Sequence, residues 1–179
     1  RDNLRFFRHS SESEALAASV EDSGGVYVVP AFTGLGAPYW DPEAKGLITG
    51  ITRATTKAHI TRATLESMAY SAKDLVIVME KESGIKLSEL KCDVGASSND
   101  LLMQFQADVL GVGVNRPREK ESTALGAVYL CALGLNLIKK EDISDLRECE
   151  KFFEPKYDEV KYGKLYDGWK RAVGRCLHD

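Results

Sequence analysis

Apolar positions recur every three or four residues between residues 59 and 79, and this is the strongest helical pattern in the chain. The pattern predicts one long amphipathic helix, with His59 in its first turn and Ser83-Gly84 as its end. We expect the apolar stripe along this helix to face the core. The stripe consists of Ile60, Thr64, Met68, Ala72, Leu75 and Met79, and it is widened by Leu65, Ala69 and Val76.

Shorter patterns on either side of this helix alternate between helix and strand. Helix starts and apolar periodicity predict helices at residues 10–20, 100–110, 123–133 and 157–176, and residues 1–7 are typical of the last turns of another helix. Compact apolar runs predict strands at residues 26–29, 46–52, 90–94 and 112–115. This alternation predicts an α/β fold with a largely parallel, buried sheet.

Two further segments and the four cysteines allow additional predictions. Residues 31–46 form a predicted loop that is long enough to be functional or to pack on itself through its aromatic residues. Residues 123–133 carry almost no charge, which predicts a helix that is buried on most of its sides. Three of the four cysteines lie in apolar segments, which predicts small buried thiols rather than metal ligands or disulfide partners. The four are Cys92, Cys131, Cys149 and Cys176.

The overall composition is that of a globular protein, and its main use is to exclude some classes of function. Hydrophobic residues make up 44% of the 179 and the formal net charge is −3, so no basic surface for nucleic acid or for an anionic membrane is indicated. No apolar run approaches the roughly 18 residues that span a bilayer. No signal peptide is visible, which favours the reducing cytoplasm. The chain begins at Arg1 and has few strands for its helices, so we expect a fragment of a larger domain.

The most informative candidate site is the turn in residues 91–100. Gly95 follows a predicted buried strand, and Asn99 precedes a predicted helix. Ligands bind beyond the carboxyl ends of parallel strands, where helix N-termini attract phosphate and a glycine lets the ligand approach the backbone. Asn99 can donate to and accept from a ribose or a base. The alternative is structural: Gly95 only forms the turn, and Ser98 or Asn99 only caps the helix.

Other polar residues have structural interpretations that are at least as good. Asp93 can act as an acid, as a water-mediated magnesium ligand or as an acceptor that stabilises a turn, and the last role is the most common. Ser122 can cap a helix, and the small residues after it favour close packing. The three histidines have no catalytic partner at a useful spacing, and the chain contains no GxSxG, HExxH or Walker A motif.

Several segments resemble the FGGY carbohydrate kinases. Residues 46–51 and 59–66 match the carboxy-terminal signature of that family, and similarity to one of its members extends over residues 26–42, 102–108 and 123–127. The resemblance implies a ribonuclease H-like, actin-like ATPase fold. It further implies that residues 1–179 are part of the C-terminal, ATP-binding FGGY domain and lack its first strands.

The resemblance also implies a function and two site residues. The implied reaction is ATP-dependent phosphorylation of glycerol or a related polyol, with Mg²⁺, in a cytoplasmic homo-oligomer; the alternatives are another sugar kinase of the family or a non-catalytic nucleotide-binding or interaction module. In the family an Asp-Gly-Gly turn and a following Asn contact the nucleotide. By position Gly95 corresponds to the second glycine and Asn99 to the asparagine, whereas Val94 replaces the first glycine. No catalytic residue and no metal ligand is carried over onto this chain.

We expect these 179 residues alone to have no kinase activity. Phosphoryl transfer requires the acceptor hydroxyl, a base and the γ-phosphate to be held in line, and the resemblance implies that the base and the acceptor pocket lie upstream of Arg1. A glycerol- and ATP-dependent assay of the purified chain tests this expectation. Turnover on the order of 1–100 per second would contradict it.

Overall fold

The computed structural model of the chain describes residues 5–93, 95–118, 122–143, 148–156 and 158–178. The helices in this part are α1 (Glu12–Ala18), α2 (Lys57–Ser83), α3 (Asp100–Leu110), α4 (Ser122–Gly134) and α5 (Glu159–Gly174). The strands are β1 (Tyr27–Val29), β2 (Leu47–Thr49), β3 (Glu89–Lys91), β4 (Gly113–Pro117) and β5 (Cys149–Phe153). The alternation of helix and strand confirms the α/β prediction.

The strands form two small sheets rather than one largely parallel sheet. β1 and β2 pair antiparallel, with Val28 opposite Ile48. In the second sheet β4 lies between β3 and β5, parallel to β3 and antiparallel to β5. Helix α3 makes the crossover that a parallel pair requires. The prediction of a largely parallel sheet is therefore wrong, because β3–β4 is the one parallel pair in the described part of the chain.

Helix α2 ends where its sequence predicts and begins at Lys57, just before the predicted start at His59. The backbone N–H of Thr56 donates to Nδ1 of His59 at 3.2 Å, so the His59 ring lies in the first turn and completes a capping box. At the other end Gly84 has a φ of +70°, a left-handed conformation that glycine adopts at low cost. Both caps lie outside the apolar stripe, so the helix is longer than the stripe.

The face of α2 that we expected to be buried is buried only in part, at Leu65 and Ala69. Met68, Leu75 and Met79 are 46%, 42% and 67% exposed, so the prediction is wrong for these three residues. Polar side chains occupy much of the buried face, among them Glu66 and Asp74. They are tolerated there because they are hydrogen-bonded. A pattern based on hydropathy misses such a face, since it counts these residues as exposed.

Helix α4 is also more exposed than its composition predicts. None of its described side chains is buried, and Val128 and Leu130 are 60% and 72% exposed. Cys131 on α4, which lies in one of the apolar segments predicted to bury their cysteines, is exposed as well. The lack of charged residues in α4 shows that the helix has apolar side chains, but it does not show that other residues of this chain pack against them.

The predictions for the two ends of the chain had different outcomes. Residues 5–7 are not helical, which contradicts that part of the helix predicted for residues 1–7; residues 1–4 lie outside the described residues. Helix α5 confirms its prediction, because Trp169 and Val173 are each 1% exposed. Cys176 follows the end of this helix and is half-buried.

Aromatic packing around Tyr70 joins the helices to the sheets. The Tyr70 ring stacks on Trp169 of α5 with 5.5 Å between centroids, and it meets Phe105 of α3 edge to face at 5.4 Å. Tyr27 of β1 lies 6.2 Å from the same ring. Large aromatic side chains contribute much of the free energy of burial in a core of this size. Tyr70 is therefore the centre of the core that α2, α3 and α5 share.

A buried carboxylate beside this core ties the long loop to two helices. Asp74 of α2 is 4% exposed, and its Oδ2 accepts hydrogen bonds at 2.8 Å from the Tyr39 hydroxyl and from Nε1 of Trp169. Its Oδ1 accepts a short hydrogen bond from the Tyr166 hydroxyl. Burial, and after it the hydrogen bond to Asp74, raises the pKa of both tyrosines. The carboxylate thus fixes the loop of residues 31–46 against α2 and α5.

Replacing Asp74 with alanine should destabilise the protein strongly. The change leaves one buried and two half-buried donors without their acceptor, and we expect a loss of about 3 kcal/mol in the free energy of unfolding. Urea unfolding of the complete protein measures this loss. Asp167→Ala is the control, since Asp167 is an exposed carboxylate on α5 that pairs with Lys170. Equal urea midpoints for the two variants would contradict the prediction.

Candidate functional site

The structure places Gly95 and Asn99 at the two ends of one short turn. Residues Gly95–Ser98 form a single 3₁₀ turn between β3 and α3, and Asn99 follows it as the N-cap of α3. Gly95 has a φ of +30°, whereas Asn99 is extended. β3 ends at Lys91, three residues before the predicted end of the strand. Val94, where the chain departs from the family pattern, lies outside the described residues.

This turn borders a groove of about 650 Å³ between α1, α2 and α3. Segment 10–14 lines one part of the groove with serine hydroxyl groups and the carboxylate of Glu14. Leu65 and Met68 of α2 contribute apolar surface, and Gly95 and Asn99 border it from the turn. A mixed lining of this kind fits a ligand that has both an apolar plane and hydroxyl groups. The structure therefore brings both predicted site residues to one groove.

Asn99 caps α3, and this role leaves part of its side chain available. Its Oδ1 accepts from the backbone N–H of Leu102 at 2.9 Å, which is the usual N-cap bond. Among the described residues no partner is found for its Nδ2 group. Asn99 can therefore donate to a ligand in the groove, while its acceptor is already used by α3.

The N-terminus of α3 is less open to phosphate than the sequence suggests. Oε1 of Glu14 accepts from the backbone N–H of Leu101 at 3.1 Å, and Leu102 donates to Asn99. Two of the first backbone donors of the helix are therefore satisfied within the chain, and a carboxylate lies beside them. The expectation that this helix end receives a phosphate is not supported by these contacts, and the turn itself is the better candidate.

Gly95 faces open space. A Cβ atom at this position would have no neighbouring atom within 4 Å, so packing inside the chain does not require glycine there. The positive φ disfavours β-branched residues, because their Cβ substituents clash with the backbone in this region. The absence of a side chain keeps this edge of the groove open.

Sequence reasoning missed a charged cluster behind the turn. Asp100, the first residue of α3, accepts hydrogen bonds from Lys151 at 2.5 Å and from the buried Arg116 at 2.8 Å. The hydrogen bond from Lys151 and the contact with Arg116 lower the pKa of the Asp100 carboxyl. β5, which carries Lys151, was not predicted because four of its five residues are exposed and its sequence shows no apolar alternation. The signal available in the sequence was the arginine itself, a charged residue directly after the strand predicted at residues 112–115.

The remaining sequence candidates have structural or undecided roles. Asp93 is exposed, and His59 caps α2. Ser122 begins α4, and the residue before it lies outside the described residues. In the described ranges no group of three or more His, Cys, Asp or Glu side chains is arranged to hold a metal ion. None of the described helices is both long enough and apolar enough to cross a membrane.

The model of the C-terminal domain of the FGGY family of carbohydrate kinases matches residues 2–135. The chain therefore belongs to the FGGY family of carbohydrate kinases. Within that family it is similar to glycerol kinases. It is 55% identical over 178 residues to a glycerol kinase of Saccharolobus islandicus, which is 99% of this chain and 36% of that protein. It is 56% identical over the same length to glycerol kinase 2 of Sulfolobus acidocaldarius, so it spans about a third of the length of these relatives.

Solved structures confirm the fold. A crystal structure of Plasmodium falciparum glycerol kinase with ADP is similar over 98% of this chain and 35% of that chain, with a TM-score of 0.89 and 34% identity. A ligand-bound xylulose kinase from Lactobacillus acidophilus has a TM-score of 0.82 over 95% of this chain and 36% of that chain, at 22% identity. The chain thus has the actin-like, ribonuclease H-like fold that the resemblance implied.

Replacing Gly95 with valine should weaken nucleotide binding. The new side chain occupies the open edge of the groove, and we expect the Kd for ADP to rise at least about tenfold in the complete protein. Calorimetric titration with ADP measures the change. The matched control is Gly84→Val, because Gly84 also has a positive φ and a Cβ atom there would meet no atom within 4 Å, yet it lies at the end of α2 outside the groove. Equal affinities for the two variants would show that Gly95 does not face the nucleotide.

Proposed function

We propose that this chain forms one side of the nucleotide site of an ATP-dependent glycerol kinase. The reaction transfers the γ-phosphoryl group of ATP to a hydroxyl oxygen of glycerol, gives ADP and glycerol 3-phosphate, and releases the proton of that hydroxyl to a base. The observation that carries the proposal is the 55% identity to a glycerol kinase over 99% of the chain. The xylulose kinase with the same fold is only 22% identical, so glycerol is the better candidate acceptor.

The groove between α1, α2 and α3 is the part of the site that we assign to this chain. Gly95 permits a close approach to the backbone, and Nδ2 of Asn99 provides a hydrogen-bond donor. Leu65 and Met68 supply apolar surface against which the adenine base of the nucleotide can pack. The serines of segment 10–14 can form hydrogen bonds with the ribose hydroxyl groups. These residues bind and orient the nucleotide. The residues that contact glycerol and accept its proton are assigned to other parts of the enzyme.

Mg²⁺ belongs to the proposed reaction, but we assign it no ligand here. When bound, the ion neutralises charge on the phosphates of the nucleotide. The described residues do not include a cluster of three metal-binding side chains, and Mg²⁺ commonly takes most of its ligands from water and phosphate. The contribution of this chain to the reaction is therefore the position of the nucleotide.

The proposal also covers the domain assignment, the cellular compartment and the oligomeric state of the enzyme. We treat residues 1–179 as part of the C-terminal FGGY domain, in agreement with the family match to residues 2–135. We also propose a cytoplasmic homo-oligomer. The four cysteines, all of which lie in the described part of the chain, form no disulfide, which is compatible with a reducing compartment. The exposed apolar side chains of α4, such as Leu130, provide surface that contacts between subunits can cover.

A substrate comparison on the complete protein tests the function. Glycerol, xylulose and gluconate are each supplied with ATP and Mg²⁺, and both ADP release and the phosphorylated product are measured. We expect kcat/KM for glycerol to exceed that for either sugar compound by at least about 100-fold, and the product to be glycerol 3-phosphate. A preference for xylulose or gluconate would identify another kinase of the family. Binding of ADP without any turnover would identify a non-catalytic nucleotide-binding protein.

A further inference from the structure

A buried arginine lies behind the turn that carries Gly95 and Asn99. Arg116 belongs to β4, and only 6% of its surface is exposed. A guanidinium group is costly to bury unless it is paired, and an arginine in this position therefore has a specific set of partners. Those partners show which part of the fold the side chain holds in place.

The partners of Arg116 lie on both sides of Asn99. Its Nη1 donates to the backbone carbonyl oxygen of Ser97 at 2.9 Å and to Oδ1 of Asp100 at 2.8 Å. Its Nε lies 3.1 Å from Oε2 of Glu150 on β5, close enough for an ion pair, although the N–H is not aligned for a hydrogen bond. One guanidinium group thus joins the turn, the start of α3 and the neighbouring strand.

The hydrogen bonds within the turn cannot fix its position relative to the sheet. The Ser98 hydroxyl donates to the carbonyl oxygen of Gly95 at 2.7 Å, and the backbone N–H of Asn99 donates to the carbonyl oxygen of Ala96 at 3.1 Å. Both bonds join residues that are three apart, so they close the turn locally. Across the described ranges, the bond from Arg116 is the long-range hydrogen bond between the backbone of this turn and the sheet.

Arg116 does not line the groove, so it does not contact a ligand there. We propose that Arg116 is a positioning residue for the nucleotide: by holding the Ser97 carbonyl and Asp100, it fixes the turn that presents Gly95 and Asn99 to the groove. The proposal rests on the proposed function, since it takes the groove to be the nucleotide site. Loss of the guanidinium allows the turn to shift, and it leaves any acceptor pocket elsewhere unchanged.

Arginine and lysine differ in a way that tests this role. The guanidinium fork can bond two acceptors in fixed directions, whereas a lysine ammonium is a single point charge on a flexible stem. Arg116→Lys therefore keeps the charge near Asp100 and Glu150 but cannot hold the carbonyl and the carboxylate in the same geometry. Arg116→Met removes both the charge and the donors while it keeps most of the apolar volume.

The experiment compares Arg116→Met and Arg116→Lys in the complete protein with Arg118→Met as the matched control. Arg118 lies two residues away and forms an exposed ion pair with Glu148, outside the groove. The Kd for ADP is measured by calorimetry, and KM for ATP, KM for glycerol and kcat are measured by assay. Circular dichroism and the thermal midpoint show whether each variant is folded.

We expect Arg116→Met to raise the Kd for ADP and KM for ATP about tenfold, because the turn that presents Gly95 and Asn99 is no longer held, while KM for glycerol stays within about twofold. Arg116→Lys should give a smaller increase of about threefold in the same two constants, and Arg118→Met should match the unaltered protein. A selective effect on the nucleotide is the readout that a merely structural role would not produce.

Three results would overturn the proposal. The first is an unchanged Kd for ADP in folded Arg116→Met. The second is a parallel increase in KM for ATP and for glycerol, which indicates a general structural role. The third applies if Arg116→Met does not fold: Arg116→Lys then decides, and unchanged nucleotide constants in that variant refute the role.

Failure of the proposed function gives a different result. If the unaltered protein binds ADP but phosphorylates none of the acceptors, the Kd measurements still test Arg116 on their own. If the unaltered protein does not bind ADP at all, the proposed function and the role of Arg116 are both wrong. An increase in the Kd for ADP that is restricted to the Arg116 variants supports both.

Discussion

The buried carboxylate of Asp74 is the interaction on which the arrangement of this fold depends. It lies on the inner face of α2, and three donors from the long loop and from α5 converge on it. A carboxylate in such a place is unstable unless its hydrogen bonds are made, so the three segments must come together for any of them to be stable. The adjacent stack of Tyr70 on Trp169 provides the apolar burial that this arrangement requires.

The position of the groove depends on the same core, because residues of α2 and α3 line the groove and other residues of these helices lie in the core. Leu65 of α2 lines the groove one turn before Ala69, which is in the core. On the far side Leu102 lines the groove while Phe105 of the same helix contacts Tyr70. A ligand-binding edge placed on helices that are fixed in a core is held more precisely than one placed on a free loop. The turn at Gly95 lies outside these helices, and the charged cluster behind it supplies the remaining restraint.

The sequence predicted the positions of the helices and strands better than it predicted which of their residues are buried. Helix α3 has the bounds that its pattern indicates, and the end of α2 at Gly84 follows from a local capping rule. Burial was harder to predict, because only tertiary contacts determine that an apolar residue such as Met79 is exposed and a polar residue such as Asp74 is buried. For the site, the family motif pointed to Gly95 and Asn99. Arg116 could not be found from spacing, since its partners are distant in sequence and one of them is a backbone carbonyl.

The two tryptophans of the chain have opposite surroundings, with a practical consequence for spectroscopy. Trp169 is 1% exposed, stacked on Tyr70 and hydrogen-bonded to Asp74, whereas Trp40 is 76% exposed. Their fluorescence should therefore differ: emission from Trp40 already resembles that of an indole in water, while Trp169 emits from an apolar site next to a carboxylate. A red shift of the emission maximum will then report mainly on Trp169, and so on the packing of α5 against α2.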